Sequence, residues 1–233
     1  MNAKAHKESH FQSSDLVTDI VIGMSDGLTV PFALAAGLSG AVSNTHIIVI
    51  AGLAEVVAGS IAMGLGGYLA GKTEIDHYNA EVKRERYEVE HMPEEEKREV
   101  QVIFADMGMT ETTQRQIVEE MAKDKEKWID FMMRYELGLE KPDEKRAAKS
   151  AMNIAISYII GGLVPLSPYF FASVPVDGLK WSCVITVICL FTFGFFKAKV
   201  TGQNPWSGAV RVMLIGSLAA AAAFFIAHLF NSK

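Results

Sequence analysis

Charge is confined to one stretch of this 233-residue chain, and that confinement limits what the rest can fold into. Residues 72–149 hold 36 of the 49 charged side chains, 15 Lys or Arg and 21 Asp or Glu, leaving 13 for the other 155 residues. Runs 151–172, 181–196 and 212–230 carry no charge at all. Runs 16–40 and 46–71 are equally apolar except for Asp19, Asp26 and Glu55. A helix of about 20 apolar residues crosses about 30 Å of hydrocarbon. The five runs therefore predict an all-α polytopic membrane protein with five transmembrane helices. Run 181–196 is short and is expected to borrow its flanks, with Lys180 and Lys197 snorkelling.

Composition excludes other classes. With 21% charged residues and a net charge of −5, the chain has no basic surplus to meet nucleic-acid phosphates and too little charge for a disordered chain. Cys183 and Cys189 fall on different faces of one apolar helix, which suits packing rather than a disulfide or thiolate metal site. No strand alternation and no internal repeat is evident.

The first 15 residues are polar and lack the apolar run and cleavage site of a secretory signal, so the first span is expected to stay as an uncleaved anchor. Lys and Arg set the orientation. Loop 41–45 has neither, the 72–149 block has 15, the 197–211 connection has Lys197, Lys199 and Arg211, and the loop near 173–180 has only Lys180. These counts place the N-terminus and the charged block in the cytosol and the C-terminus on the far side. The expected division is 1–15, a cytosolic segment; 16–71, transmembrane helices 1–2; 72–149, a cytosolic helical domain; and 150–233, transmembrane helices 3–5.

The charged block reads as three helices. Residues 72–91 continue the second span without a breaker. Pro93 suits the first turn of a new helix, which Gly108 ends. Thr110 is a plausible N-cap for a third helix over 110–137, with Gly138 and Pro142 beyond it. Ile117, Met121, Trp128 and Met132 give that helix an apolar face.

A carboxylate at bilayer depth costs at least about 2.5–3.5 kcal/mol, so those in the spans are functional candidates. Asp15, Asp19 and Asp26 share one stripe of the first span, and Glu55, Gly59 and Met63 share one of the second. At about 1.5 Å per residue, Asp26 is about 15 Å and Met63 about 12 Å from the cytosolic side, with Glu55 about 12 Å further on. Neither span has a Lys or Arg to pair with them. Asp26 and Glu55 read as steps of a cation path. Met63 alone also suits ordinary packing, and Asp19, nearer the interface, suits either hydration or cation entry. Gly27 and Pro31 after Asp26 predict a bend. Gly161, Gly162, Pro165 and Pro168 suggest a broken third span, though packing irregularity alone would explain them.

Glu81, Glu85 and Glu88 form a stripe on one charged helix, Glu96 and Glu99 lie three apart on the next, and Met132, Met133 and Glu136 cluster on the third. Carboxylates with a thioether suit a borderline divalent transition metal better than Mg²⁺ or Ca²⁺. Acidic stripes interspersed with Arg84, Arg86, Lys97 and Arg98 equally suit solvated helix faces. Two Glu-x-x-His pairs, Glu74 with His77 and Glu88 with His91, fall on one helix rather than two and do not complete a di-iron set.

The stretches SDGLTVPFALAAGLSGA (25–41) and AGLAEVVAGSIAMGLGGYLAGKTEIDHY (51–78) closely resemble the vacuolar iron transporter family. The likeness covers nearly the whole chain, including the charged helical insert between the second and third spans. It implies a homodimer in the vacuolar membrane that exports cytosolic Fe²⁺ into an acidic lumen in exchange for H⁺, along a path between its two first spans. On matching positions it implies an in-membrane metal site at Asp26 and Met63, with Glu55 further on; Asp19 is expected, on its position in the first span, to assist entry. It also implies that the insert is a metal-binding domain using Glu85, Glu88, Glu96, Glu99, Met132, Met133 and Glu136. Asp15 departs from the glutamate expected at the cytosolic entrance. Fe²⁺ is then substrate and bound ion rather than a prosthetic group, with Mn²⁺, Zn²⁺ and Co²⁺ as surrogates. The partners are metal ion, proton, membrane lipid and a second copy of the chain. A membrane-anchored adaptor is the rival reading, and leaves the intramembrane carboxylates unexplained. A di-iron oxidase, the other rival, lacks its four-helix carboxylate set.

Overall fold

The computed structural model describes residues 15–231, so most of the expected N-terminal segment 1–15 and the last two residues lie outside the described residues. Among the described residues all regular elements are helical: α1 (Asp15–Ser39), α2 (Thr45–His91), α3 (Pro93–Asp106), α4 (Glu111–Met121), α5 (Lys125–Tyr135), α6 (Arg146–Leu166) with a 3-10 turn at Ser167–Phe170, α7 (Pro175–Val200) and α8 (Pro205–Asn231). Five are long and apolar enough to cross a membrane: α1, α2, α6 with its 3-10 extension, α7 and α8. The short run 181–196 does take in both flanks, since α7 begins at Pro175 and ends at Val200. The chain forms two compact units, one from the residues through Tyr68 and from Ala148 onward, the other from 69–147. Helix α2 has no internal proline and contributes to both.

In the first unit, small residues let α1 and α2 approach α6 closely. A β-carbon at Gly27 would collide with the Tyr158 carbonyl, and one at Gly64 would sit 3.0 Å from the Ala151 carbonyl. Ala35, Ile48, Val56, Leu166 and Tyr169 form one buried cluster. Phe32, Ala36 and Ala220 form another, joining α1 to α8. Large apolar side chains point outward instead, among them Val57, Ile61 and Leu65 of α2 and Leu214, Leu218 and Phe225 of α8. So much exposed apolar surface suits a lipid surround.

The third span is less broken than its glycines and prolines suggest. Helix α6 continues through Gly161, Gly162 and Pro165 and tightens to 3-10 only at Ser167. The glycines serve close packing: a β-carbon at Gly161 would sit 3.0 Å from the Leu28 nitrogen of α1. The Ser182 hydroxyl of α7 donates to the Pro165 carbonyl at 2.7 Å, so that carbonyl, just before the 3-10 turn, is satisfied from outside the helix. Helix α1 likewise runs on through Pro31.

In the second unit, the end of α2 and helices α3, α4 and α5 close on a core of Val89, Val100, Val118, Trp128, Ile129, Met132 and Met133. Pro93 does open α3, and Thr110 does cap α4, its hydroxyl accepting from the Thr113 nitrogen at 3.5 Å. Gly108 (φ 83) and Gly138 (φ 65) take the left-handed conformation after α3 and α5. The single helix expected over 110–137 is two. It stops at Met121 and restarts at Lys125, because Asp124 turns extended and its carboxylate accepts from the Lys127 nitrogen at 3.3 Å. The expected three helical segments of this region are therefore four.

Candidate functional site

Helix α6 positions the acidic groups of the first unit. Asp19 is 1% exposed. The Ser150 hydroxyl donates to its Oδ1 at 2.7 Å and the Asn153 amide to its Oδ2 at 3.1 Å. The alternative of simple hydration is thus replaced by a buried, hydrogen-bonded carboxylate. One helical stretch further on, the Tyr158 hydroxyl donates to Glu55 Oε1. That contact exists because Gly59, one turn beyond Glu55, has no side chain: a β-carbon there would collide with the Tyr158 hydroxyl. Asp26 lies within electrostatic reach of the same hydroxyl. Tyr158 therefore bonds a carboxylate of α2 directly, while its backbone packs against Gly27, the residue after Asp26 in α1.

The second oxygen of Glu55 is buried and without a hydrogen-bond partner among the described residues. An anionic oxygen held this way in an apolar setting favours a cation or a proton. Asp26 and Met63 are both half-buried, and the structure gives them no direct side-chain bond to each other. Spacing placed Asp19, Asp26, Glu55 and Met63 on helix faces but missed their α6 partners. For Asp19 the signal was present: its donors Ser150 and Asn153 lie three apart on one face of an apolar helix.

In the second unit Glu85 and Glu96 are buried, at 1% and 3% exposure, and each has one oxygen with no hydrogen-bond partner among the described residues. Burial, then Glu136 and Glu88, push the Glu85 carboxyl up to about 7, partly offset by Arg84. Burial, then Glu99, Glu85, Glu88 and Glu136, push Glu96 up to about 8. Glu136 is raised as well, by burial and then by Glu99 and Glu88. Five carboxylates from α2, α3 and the end of α5 thus share one field. Arg84, itself half exposed, is a counter-ion to them, 3.6 Å from Glu88 and 3.8 Å from Glu85, and also lies 3.0 Å from Glu81. Met132 and Met133 are fully buried in the apolar core of this unit. Among the described residues no three His, Cys, Asp or Glu side chains converge closely enough to hold a metal ion. The arrangement is a shared field of negative charge in which neighbouring carboxylates raise Glu85, Glu96 and Glu136.

Residues 17–228 match the VIT family, which is nearly the whole of the described chain. The chain belongs to the VIT family. Its relatives include vacuolar iron transporter 1 of Tulipa gesneriana, 49% identical over 227 residues that cover 97% of this chain and 92% of that one. Vacuolar iron transporter 1 of Arabidopsis thaliana is 51% identical over 222 residues, 95% of this chain and 89% of that one. Protein CCC1 of Saccharomyces cerevisiae is 40% identical over 230 residues, 94% of this chain and 71% of that one. The family membership inferred from the 25–41 and 51–78 stretches therefore extends across the spans and the charged helices alike. The Tulipa and Arabidopsis relatives are named as transporters, and the chain is a transporter-family protein rather than an enzyme.

Proposed function

We propose that this protein carries Fe²⁺ from the cytosol across the vacuolar membrane in exchange for protons, with Mn²⁺ and other divalent transition metals as further cargo. The observation that carries the reading is that Asp26 and Glu55 stand in runs otherwise uncharged apart from Asp19, with Glu55 bonded by Tyr158 of a third span. Near full-length likeness to proteins named vacuolar iron transporters supports iron and the vacuole.

Glu55 has one oxygen fixed by Tyr158 and one buried without a hydrogen-bond partner among the described residues, and that second oxygen is where a cation or a proton is most favoured. Asp26 supplies charge and Met63 a soft thioether, a set that suits Fe²⁺ better than Mg²⁺ or Ca²⁺. An acidic lumen protonates the carboxylates and removes the negative charge that held the metal. The metal leaves, and the protons depart on the cytosolic side when the site turns back. Bending at Pro31 is the proposed hinge.

The acidic helices of 69–147 face the cytosol and concentrate the cation by exchanging it for their protons. Two copies form the working unit. Asp26 is half-buried within one chain, and its remaining face needs water or a second copy rather than lipid. The path accordingly runs between the two first spans. No prosthetic group is required.

Proteoliposomes with an acidic interior and a pH-sensitive dye test the proposal. Added Fe²⁺ should enter and the lumen should lose acidity in proportion. Entry of Fe²⁺ with no proton movement would remove the antiport, and proton movement indifferent to any divalent ion would remove the transport reading altogether.

A further inference from the structure

We propose that the cleft between α7 and α8 binds the phosphate of an anionic phospholipid headgroup. The cleft has a volume of about 210 Å³ and presents Lys197, Arg211 and Gln203, with Gly194 and Gly208 at its base. The two glycines let the helices meet closely enough to form it: a β-carbon at Gly194 would sit 2.7 Å from the Gly208 carbonyl. No carboxylate lines it. Among the described residues neither Lys197 nor Arg211 has an acidic partner, and Asp177 is the last acidic residue in the chain. Asp177 stands at the other end of α7, paired with Lys180 at 2.9 Å, and twenty residues of helix put it about 30 Å away. Two cations with no counter-ion, sharing one cleft, call for an anion from outside the protein.

Position decides which anion. Lys197 ends the uncharged run 181–196 and Arg211 precedes the uncharged run 212–230, so the cleft lies where apolar span meets charged flank. The adjoining Phe196 and Val210 are exposed apolar residues, suited to acyl chains and useless to a free phosphate ion. Trp206 is 66% exposed beside them and packs edge-on against Phe195 at 5.4 Å, the interfacial placement typical of membrane-belt tryptophans. The N-terminus of α8 does not compete for the anion, because Asn204 Oδ1 already accepts from the Trp206 and Ser207 nitrogens at 3.0 and 3.3 Å. The Thr201 hydroxyl is likewise engaged, donating to the Lys197 carbonyl at 3.0 Å. The anion is therefore held by the ammonium, the guanidinium and the Gln203 amide.

Delipidated full-length protein in neutral detergent, titrated with phosphatidylserine, phosphatidylcholine or inorganic phosphate and followed by native mass spectrometry and thermal stability, tests the site. Phosphatidylserine should bind and stabilise in preference to phosphatidylcholine. Lys197→Gln should weaken it about fivefold, and Lys197→Gln with Arg211→Gln about 30-fold, at about fivefold per interfacial cation. Arg211→Lys, which keeps the charge, should retain most of the affinity, and Lys180→Gln at the other end of α7 should retain all of it. Equal binding of the two lipids would overturn the proposal, as would undiminished phosphatidylserine binding by Lys197→Gln. Inorganic phosphate that stabilises as well as phosphatidylserine would overturn the lipid assignment.

Discussion

The Tyr158 hydroxyl donates to Glu55 Oε1 across a gap that Gly59 keeps open, so the carboxylate is oriented by a residue of another span. Removing the hydroxyl while keeping the ring should separate orientation from packing. Tyr158→Phe should fold normally and carry Fe²⁺ between about 10- and 100-fold more slowly, the range for a hydrogen bond to a charged group of about 1.5–3 kcal/mol. Initial Fe²⁺ uptake by proteoliposomes at matched protein content measures it. Undiminished uptake would make the hydrogen bond incidental to transport.

Gly59→Ala should act through the same contact, because the new methyl collides with the Tyr158 hydroxyl. Its effect on uptake should resemble that of Tyr158→Phe. The double variant should be little worse than either single one, the non-additivity expected of residues sharing an interaction. Fully multiplicative losses would show that Gly59 acts elsewhere.

The acidic helices make stability depend on pH. With no metal bound, the Glu85 and Glu96 carboxyls stand at about 7 and about 8, above their ordinary value of 4.5. The folded state thus holds protons that the unfolded chain has released. Their stabilising contribution is complete below about pH 4.5 and is lost as pH rises through 7 and 8. Metal-free protein should lose stability in 69–147 between pH 5.5 and 8.5, by at least about 5 °C in Tm. Trp128 fluorescence reports this unit alone once Trp181 and Trp206 are replaced by phenylalanine. Glu96→Gln should flatten the slope, and a divalent cation at pH 8.5 should restore stability by replacing the protons. A Trp128 transition indifferent to pH would contradict the shared field.

Asp124 restarts the chain as α5, so Asp124→Ala should cost about 1 kcal/mol, the usual value of an N-cap. The loss should appear as a lower Trp128 transition and faster amide exchange in the first turn of α5. Transport of Fe²⁺ at saturating metal should change little.

Much of this was legible in the sequence because the hydrocarbon imposes its own rule. An uncharged run of the right length has little choice but to be a helix, and each of the five runs is one. Asp26 and Glu55 stood out as candidates for the same reason, since a carboxylate is conspicuous where charge is costly. Tyr158 was not. Its hydroxyl is unremarkable in a list of residues and becomes informative only when Gly59 and Glu55 lie opposite it, a relationship between spans that no local spacing encodes. The division of 110–137 was missed because the apolar spacing of Ile117, Met121, Trp128 and Met132 continues across the break, while one capping carboxylate at Asp124 ends the helix between them. Helix caps are single-residue signals and are easily outvoted by periodicity. The glycines and prolines of α6 left two readings open, because close packing against α1 and α2 uses the same residues as a helix break.

Asp26→Asn in proteoliposomes with an acidic interior tests the account most directly, since it removes the charge and keeps the shape. Initial uptake of Fe²⁺ and the accompanying loss of lumenal acidity should both fall at least about 100-fold, with a single charge–metal contact worth about 3 kcal/mol or more. Uptake at the unsubstituted rate, with the proton movement intact, would contradict the claim that a carboxylate within the membrane holds the travelling ion.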